Sequence, residues 1–236
     1  MTPTTRPTVD VVAGSIKIFG DTHFSAQYEG SHRDYRKNCY TVMERIISIV
    51  ESDDRTTAVL GLGDMYGVKE QLVRDRIFLS DTMKFWRKLN LIIRRNAKNL
   101  SGDPSKSVLA NVKGNHDMGG RAAFTEFDFM LDQGLFVNPS HVNFFREDGD
   151  LEARIHFANW GEEGREFDFA EDASNIVLGH GEYVIPGVTN WLPSSDAAKD
   201  ITRMPNLVGA DYLFSGHIHT PSEQIDTDHQ GTGRAI

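Results

Sequence analysis

The chain has 236 residues, of which 39% are hydrophobic and 25% are charged, and its formal net charge is -9 at pH 7. This composition is typical of one globular domain, and the acidic balance argues against a protein that coats nucleic acid nonspecifically. The single Cys39 excludes an internal disulfide and favours a reducing, cytoplasmic location. No apolar run is long enough to span a membrane, and Met1–Ser15 lacks the pattern of a signal peptide, so we expect no membrane association.

A first strand, over about Ser15–Gly20, ends directly before Asp21 and His23. The apolar run and the glycine that follows it predict a buried strand that delivers two potential metal ligands from its carboxyl end. If the segment after the glycine stays extended, the spacing of two places both side chains on one side. The apolar residues that follow at helical spacing predict a helix over about Asn38–Ser52.

A second strand, over about Val59–Gly63, ends at Asp64. An aspartate can bridge two cations through its two oxygens, and the isolated Asp64 is the natural candidate for such a bridge. A helical insertion of about residues 68–104 follows, with its helix over about Val68–Asn99. The segment Lys69–Lys98 has nine basic and three acidic residues, which predicts a basic approach to the site or, alternatively, a solvated helix face.

The third strand, over about Val108–Lys113, leads into a glycine and the run Asn115, His116 and Asp117. A helix is predicted over about Ala122–Gln133. Two further segments have the pattern of strands and predict a second, largely antiparallel sheet. They are Val142–Arg146 and Arg154–Trp160.

Two more strands end in histidines: Ile176–Gly179 precedes His180, and Tyr212–Gly216 precedes His217 and His219. The carboxyl ends of parallel strands share one edge of an α/β sheet, so ligands that are far apart in sequence can meet there. Carboxylate, amide and imidazole ligands without a thiolate suit manganese, iron or zinc rather than calcium. The sequence therefore predicts a two-metal site.

These motifs, GDTH, GD, GNHD, GH and GHIH in this order, resemble those of the calcineurin-like metallophosphoesterase superfamily from Asp21 to His219. The resemblance implies a four-layer αββα sandwich of two mixed β-sheets flanked by helices. We expect residues 1–14 to form an N-terminal lead and residues 15–236 to form the metallophosphoesterase domain. The implied cofactors are two divalent ions, manganese first, with iron and zinc as alternatives. The resemblance assigns Asp21, His23, Asp64 and His219 to one ion, and Asp64, Asn115, His180 and His217 to the other.

The resemblance also implies catalytic roles for the central motif. His116 would face the scissile phosphate, where it stabilises the transition state or protonates the leaving oxygen. Asn115 would help to stabilise charge on the phosphate. Asp117 would orient the imidazole of His116 and favour its charged form.

Within the superfamily, the motifs are most similar to the nuclease branch of the SbcD subunit of DNA repair complexes, in which GHIH is followed by a proline, here Pro221. Purple acid phosphatases have a tyrosine three residues after the bridging aspartate, where this chain has Gly67, with Tyr66 one residue too early. An ATPase partner is an expectation of the resemblance alone, because no docking segment is seen after the last motif. We predict a phosphodiesterase or exonuclease that acts on nucleic acid, with DNA as the expected substrate.

Two alternatives remain open at this stage. One is a phosphodiesterase for small or cyclic nucleotides, and the other is a noncatalytic scaffold of the same fold that binds protein partners. The retained set of metal ligands argues against the scaffold. The predicted substrate contacts are His32, Arg87, Lys88, Arg94 and Arg95.

Overall fold

The computed structural model describes residues 6–25, 35–67, 75–118, 125–184, 199–200, 205–217 and 234–235. His32 and His219, which are predicted to contact substrate and to bind metal, lie outside these ranges. The described elements are, in chain order, β1 (Thr8–Val12), β2 (Ser15–Phe19), α1 (Tyr35–Glu51), β3 (Thr56–Gly61), α2 (Arg76–Ser101), β4 (Val108–Asn111), α3 (Glu126–Asp132), β5 (His141–Phe145), β6 (Leu151–Ala158), β7 (Ser174–His180), β8 (Tyr183–Val184), β9 (Lys199–Asp200), a 3₁₀ turn (Pro205–Leu207), β10 (Tyr212–Gly216) and β11 (Arg234–Ala235).

A three-stranded sheet has the order β2-β3-β4, and both of its strand pairs are parallel. The central β3 is buried along its whole length, as expected for a parallel strand that is covered on both faces. In the register, Phe19 lies opposite Gly61, and Gly61 lies opposite Asn111. The three carboxyl ends are therefore level, and the turns that carry the first three motifs begin side by side.

A second sheet has the order β1-β5-β6-β7-β10-β11 among the described residues. Only β5 and β6 are antiparallel, and every other described pair in this sheet is parallel. The expectation of a largely antiparallel second sheet is therefore wrong. A short hairpin can join antiparallel neighbours such as β5 and β6, whereas the longer connections after β6 and β7 return the chain to the same end of the sheet. The edge strand β1 was not predicted.

The layers of the fold are defined by three groups of buried side chains. The helices cover one face of the three-stranded sheet, around Trp86 and Phe127. Leu60 and Phe144 belong to the apolar layer in which the two sheets face each other. The predicted α/β class, with two sheets and flanking helices, is confirmed. On the outer face of the six-stranded sheet, the described cover is a loop and the 3₁₀ turn, with Leu207 in contact with the sheet.

Helix α2 is the long helix predicted between the second and third motifs. It begins after Asp75, whose side chain accepts a hydrogen bond from the N–H of Phe78, and it ends at Gly102, which has a left-handed φ of 78°. Because α2 leads from the carboxyl end of β3 to the amino end of β4, it must run antiparallel to these strands. Its second half therefore lies away from the ligand turns. None of the described helices is long and apolar enough to cross a membrane.

Candidate metal centre

The predicted ligands follow strand ends through strained turns. In the described part of the chain, four residues other than glycine have positive φ: Asp21 (50°), His23 (44°), Asp64 (49°) and His217 (92°). Such angles are costly for residues with a Cβ and concentrate at functional sites. The segment that holds Asp21 and His23 is therefore not extended, contrary to the expectation from their spacing. Strained turns, rather than the alternation of a strand, aim these side chains.

Close backbone contacts join the turns to one another. The N–H of Asp21 donates to Gly63 O at 3.2 Å, and the N–H of His23 donates to Asp64 O at 3.0 Å. Gly114, at the start of the third turn, packs directly on Asp64, so that a Cβ at this position would collide with the Asp64 backbone and carboxylate. A glycine is therefore required for the second and third turns to approach this closely.

One group of potential ligand atoms converges around Asn115. Its Oδ1 lies 2.9 Å from His180 Nε2 and 3.1 Å from His217 Nδ1, and His180 Nε2 lies 3.2 Å from Asp64 Oδ2. His180 Nδ1 lies 2.7 Å from Leu62 O, which can only accept, so Nδ1 carries the hydrogen and the lone pair of the neutral ring is on Nε2. Lone pairs that face one another in this way are unfavourable without a proton or a cation between them. The donor set fits a divalent cation.

The pKa shifts of Asp64 and His180 indicate that this group of ligands favours a bound positive charge. Burial tends to raise the pKa of Asp64, but the hydrogen bond from His180, its charge and the N–H of His116 together hold that pKa below its ordinary value. For His180, burial tends to lower the pKa, and the interaction with Asp64 raises it above its ordinary value. A bound cation would take the place of the proton that this pair attracts.

The second group of ligands shares Asp64 with the first. His23 Nε2 lies 3.9 Å from Asp64 Oδ2, the same oxygen that His180 approaches, whereas Asp64 Oδ1 accepts the N–H of His116 at 2.8 Å. The shared position of Asp64 agrees with a bridge, but one oxygen faces both groups, contrary to the expectation that each oxygen serves one ion. Asp21 lies at the same edge, where its Oδ1 accepts the N–H of His217 at 2.9 Å.

His116 lies beside these ligands. Its ring packs edge-on against that of His23, with centroids 4.9 Å apart, and one of its nitrogens comes within 4.8 Å of ligand atoms of His23 and Asp64. His116 Nδ1 lies 3.2 Å from Gly67 O, which can only accept, so Nδ1 carries the hydrogen. This arrangement leaves Nε2 as the nitrogen that can exchange a proton with a bound substrate.

Asp117 differs from its predicted role. Its carboxylate is buried and accepts backbone N–H groups of Gly114 at 3.0 Å, Met65 at 3.3 Å and Tyr66 at 3.3 Å, and none of its hydrogen bonds involves the His116 imidazole. Burial, together with the charge of Asp64, raises the pKa of Asp117 to about 7, although the three amides act in the opposite direction. Asp117 therefore joins the third turn to the second, and the Gly67 carbonyl orients the His116 ring instead.

Two side chains in contact with the ligands were not predicted. The Trp160 ring packs against the rings of His217 and His180, at centroid distances of 4.8 and 6.0 Å. Glu182 Oε1 lies 3.4 Å from His217 Nε2. Glu182 follows His180 by two residues, and a carboxylate so close to a candidate ligand was a usable signal; nothing in the sequence indicated Trp160.

Tyr66, the tyrosine next to the position used in purple acid phosphatases, is not a ligand. Its side chain is buried in the helical layer, and its hydroxyl accepts a hydrogen bond from Trp86 Nε1 at 2.9 Å. Burial raises the pKa of the phenol well above its usual range. Tyr66 is therefore not placed to act as a metal-bound tyrosinate.

The predicted substrate residues on α2 separate into two sets. Arg87 and Arg94 line a groove of about 560 Å³ that no acidic residue lines, and neither forms a hydrogen bond or ion pair with a described residue. In contrast, Lys88 pairs with a carboxylate of α1 at 3.1 Å, and Arg95 donates to the side chain of the neighbouring asparagine. Arg87 and Lys88 follow Trp86, whose Nε1 donates to the hydroxyl of Tyr66 in the second turn, and at a rise of 1.5 Å per residue Arg94 and Arg95 lie roughly 12 to 14 Å further along the helix axis.

Comparison with known proteins adds one finding. A model of the family described as calcineurin-like phosphoesterase matches residues 14–221. The matched segment contains all the predicted ligands, from Asp21 to His219, and begins after β1. No curated protein matches the chain.

Proposed function

We propose that this chain, which belongs to the calcineurin-like phosphoesterase family and is therefore a metal-dependent phosphoester hydrolase, acts on phosphodiesters of nucleic acid. Within the family we assign it to the nuclease branch that resembles SbcD, with DNA as the polymer. The motifs support this branch, and the groove beside α2 is the structural observation that carries the choice of a polymer.

The residues at the centre suit the cleavage of a phosphodiester. When bound, the two cations would neutralise charge on the phosphate and acidify water. Asp21, His23, Asp64, His180 and His217, with Asn115 and His219, would hold them. His116, with Nδ1 held by Gly67, has Nε2 available to stabilise charge on the phosphate and to protonate the leaving oxygen. We propose manganese as the native metal, with iron and zinc as alternatives.

A polymer can contact the metal centre and the groove together. Leu109 lines the groove and precedes Asn115 by six residues, so the chain allows at most roughly 22 Å between their Cα atoms. Phosphates repeat about every 3.4 Å along one strand of B-DNA. A strand cleaved at the metals could therefore place a phosphate near Arg87 and Arg94 within about six nucleotides of the cleaved bond. A cyclic mononucleotide has a single phosphate, so one bound at the metals would have no second phosphate for the groove.

The test compares two double variants of α2 that change the net charge equally. The double variant Arg87→Glu with Arg94→Glu reverses the charge of the two arginines that line the groove. The double variant Lys88→Glu with Arg95→Glu is the matched control on the same helix. Loss of two phosphate contacts should weaken DNA cleavage mainly at low salt, and the defect should shrink by about tenfold between 50 and 200 mM salt. Hydrolysis of bis(p-nitrophenyl) phosphate should not change in either variant.

Other outcomes would contradict this assignment. Equal losses on DNA and on the small diester would indicate damage to the fold or to the metal centre. Unchanged DNA cleavage in the groove variant would show that the groove does not contact DNA. Strong hydrolysis of cyclic nucleotides without DNA cleavage would favour the small-nucleotide alternative. No hydrolysis of any substrate with manganese, iron or zinc would favour the scaffold.

A further inference from the structure

The ring nitrogen with which a histidine binds metal depends on what its other nitrogen contacts. An acceptor behind one nitrogen keeps the hydrogen there and leaves the lone pair of the neutral ring on the other. At His180 that acceptor is the backbone carbonyl of Leu62, at 2.7 Å. A backbone acceptor is fixed by the fold, so substitution of a side chain cannot remove it.

His217 has a side-chain acceptor in the corresponding position. Glu182 Oε1 lies 3.4 Å from His217 Nε2, on the far side of the ring from Nδ1, which lies 3.1 Å from Asn115 Oδ1. The Trp160 ring packs against the same imidazole, with centroids 4.8 Å apart. His217 is thus in contact with a carboxylate at one nitrogen and with a tilted aromatic ring, while the other nitrogen is directed to the ligand group.

We infer that Glu182 is a positioning residue for the metal held by Asp64, Asn115, His180 and His217: its carboxylate keeps the hydrogen of His217 on Nε2 and directs the Nδ1 lone pair to the metal. Glu182 therefore sets the affinity of this position and not that of the position that His23 serves. A carboxylate behind a ligating histidine also makes the ring a stronger donor. This effect of Glu182 on metal affinity does not depend on the identity of the substrate.

The test measures binding of Mn²⁺ alone to chelator-treated protein, by calorimetric titration and by electron paramagnetic resonance. Glu182→Ala should weaken one of the two Mn²⁺ positions by about 10 to 100-fold and leave the other unchanged, since substitution of such outer partners commonly has this effect. Glu182→Gln keeps an oxygen acceptor but loses the charge, so its affinity for the same Mn²⁺ position should fall by a smaller factor, about 3 to 10-fold. In Glu182→Ala with two equivalents of Mn²⁺, the electron paramagnetic resonance signal of coupled Mn²⁺ pairs should be replaced by that of isolated ions. Hydrolysis of bis(p-nitrophenyl) phosphate should then be reduced, and excess Mn²⁺ should restore it.

Glu163→Gln is the matched control, because Glu163 lies against the neighbouring Gly181 and no hydrogen bond or ion pair joins it to a ligating histidine among the described residues. It should bind two Mn²⁺ ions as the unmodified protein does. Wild-type affinity at both positions in either Glu182 variant would overturn the inference, as would an equal loss in the control. If Glu182→Ala does not fold, the isosteric Glu182→Gln decides the question by the same criterion. Since no nucleic acid is present, failure here is distinguishable from failure of the proposed substrate.

Discussion

Replacement of Asp117 by asparagine separates the role seen in the structure from the role predicted from the sequence. Asp117 Oδ2 accepts the N–H groups of Gly114 and Met65, and Oδ1 accepts that of Tyr66. An amide has a single acceptor oxygen, so its NH₂ group must face at least one of these donors. If Asp117 joins the two turns, Asp117→Asn should therefore destabilise the fold.

The size of this effect follows from the three contacts. At pH 4 the Asp117 carboxyl group, whose pKa burial raises to about 7, is neutral in the folded protein, so the substitution orphans one buried donor at a cost of about 1 to 3 kcal/mol. At pH 7 this loss would be masked, because the raised pKa means that burial of the ionised carboxylate itself costs about 4 kcal/mol there, which asparagine would relieve. We therefore expect the free energy of unfolding of the metal-free protein at pH 4 to fall by about 1 to 3 kcal/mol.

Urea unfolding at pH 4, followed by tryptophan fluorescence, measures this change. Asp168→Asn is a matched control, because the Asp168 side chain is 89% exposed and its ion pair is at the surface. It should change the free energy of unfolding by less than about 0.5 kcal/mol. An Asp117→Asn protein that unfolds like the unmodified protein but has lost turnover would refute our reasoning and would restore the predicted role on the His116 imidazole.

Three further predictions address the metals, the acid-base group and a buried histidine. Asp64→Asn should reduce the content of both ions, because it removes a charge shared by two cations; two tightly bound equivalents by elemental analysis would show that the bridge is misassigned. His116→Ala should reduce turnover by about 10² to 10⁴-fold with metal content unchanged, and a parallel loss of metal would make His116 a ligand. His156 is buried beside two phenylalanine rings, and burial lowers its pKa to about 3. Because the unfolded chain then binds the proton more tightly, stability should fall as pH falls below about 6.5, by about 2 kcal/mol at pH 5. His156→Phe should remove this component in urea unfolding at pH 7 and 5, and an unchanged pH dependence would exclude His156 as its source.

The strands that carry ligands were predictable because each combines an apolar run with a glycine and a polar residue at its end. The strand β1 was missed because its short sequence, Thr8–Val12, includes Asp10 and its strand partner β5 is remote in sequence. Strand direction in the second sheet was also beyond local pattern. The direction of a strand depends on the end of the sheet at which the preceding connection leaves the chain, and the spacing of apolar residues carries no information about this.

Side-chain roles were less predictable than ligand identity. Asp117 was given a role on its neighbour His116, but the tight turn directs its carboxylate to backbone amides of two loops. The basic residues of α2 were counted as one group, although helix geometry directs Arg87 and Arg94 to a groove and Lys88 to α1. Such distinctions depend on what packs against each face, which only the tertiary structure provides.

Cleavage of DNA as a function of bound metal tests the central claim most directly. The chelator-treated protein would be reconstituted with increasing equivalents of Mn²⁺, and the single-turnover rate on a labelled DNA would be measured at each step. We predict no cleavage without metal and a rate that rises as the second equivalent binds. Full cleavage without metal, or no cleavage of DNA by protein that holds two equivalents and hydrolyses a small diester, would contradict a two-metal nuclease.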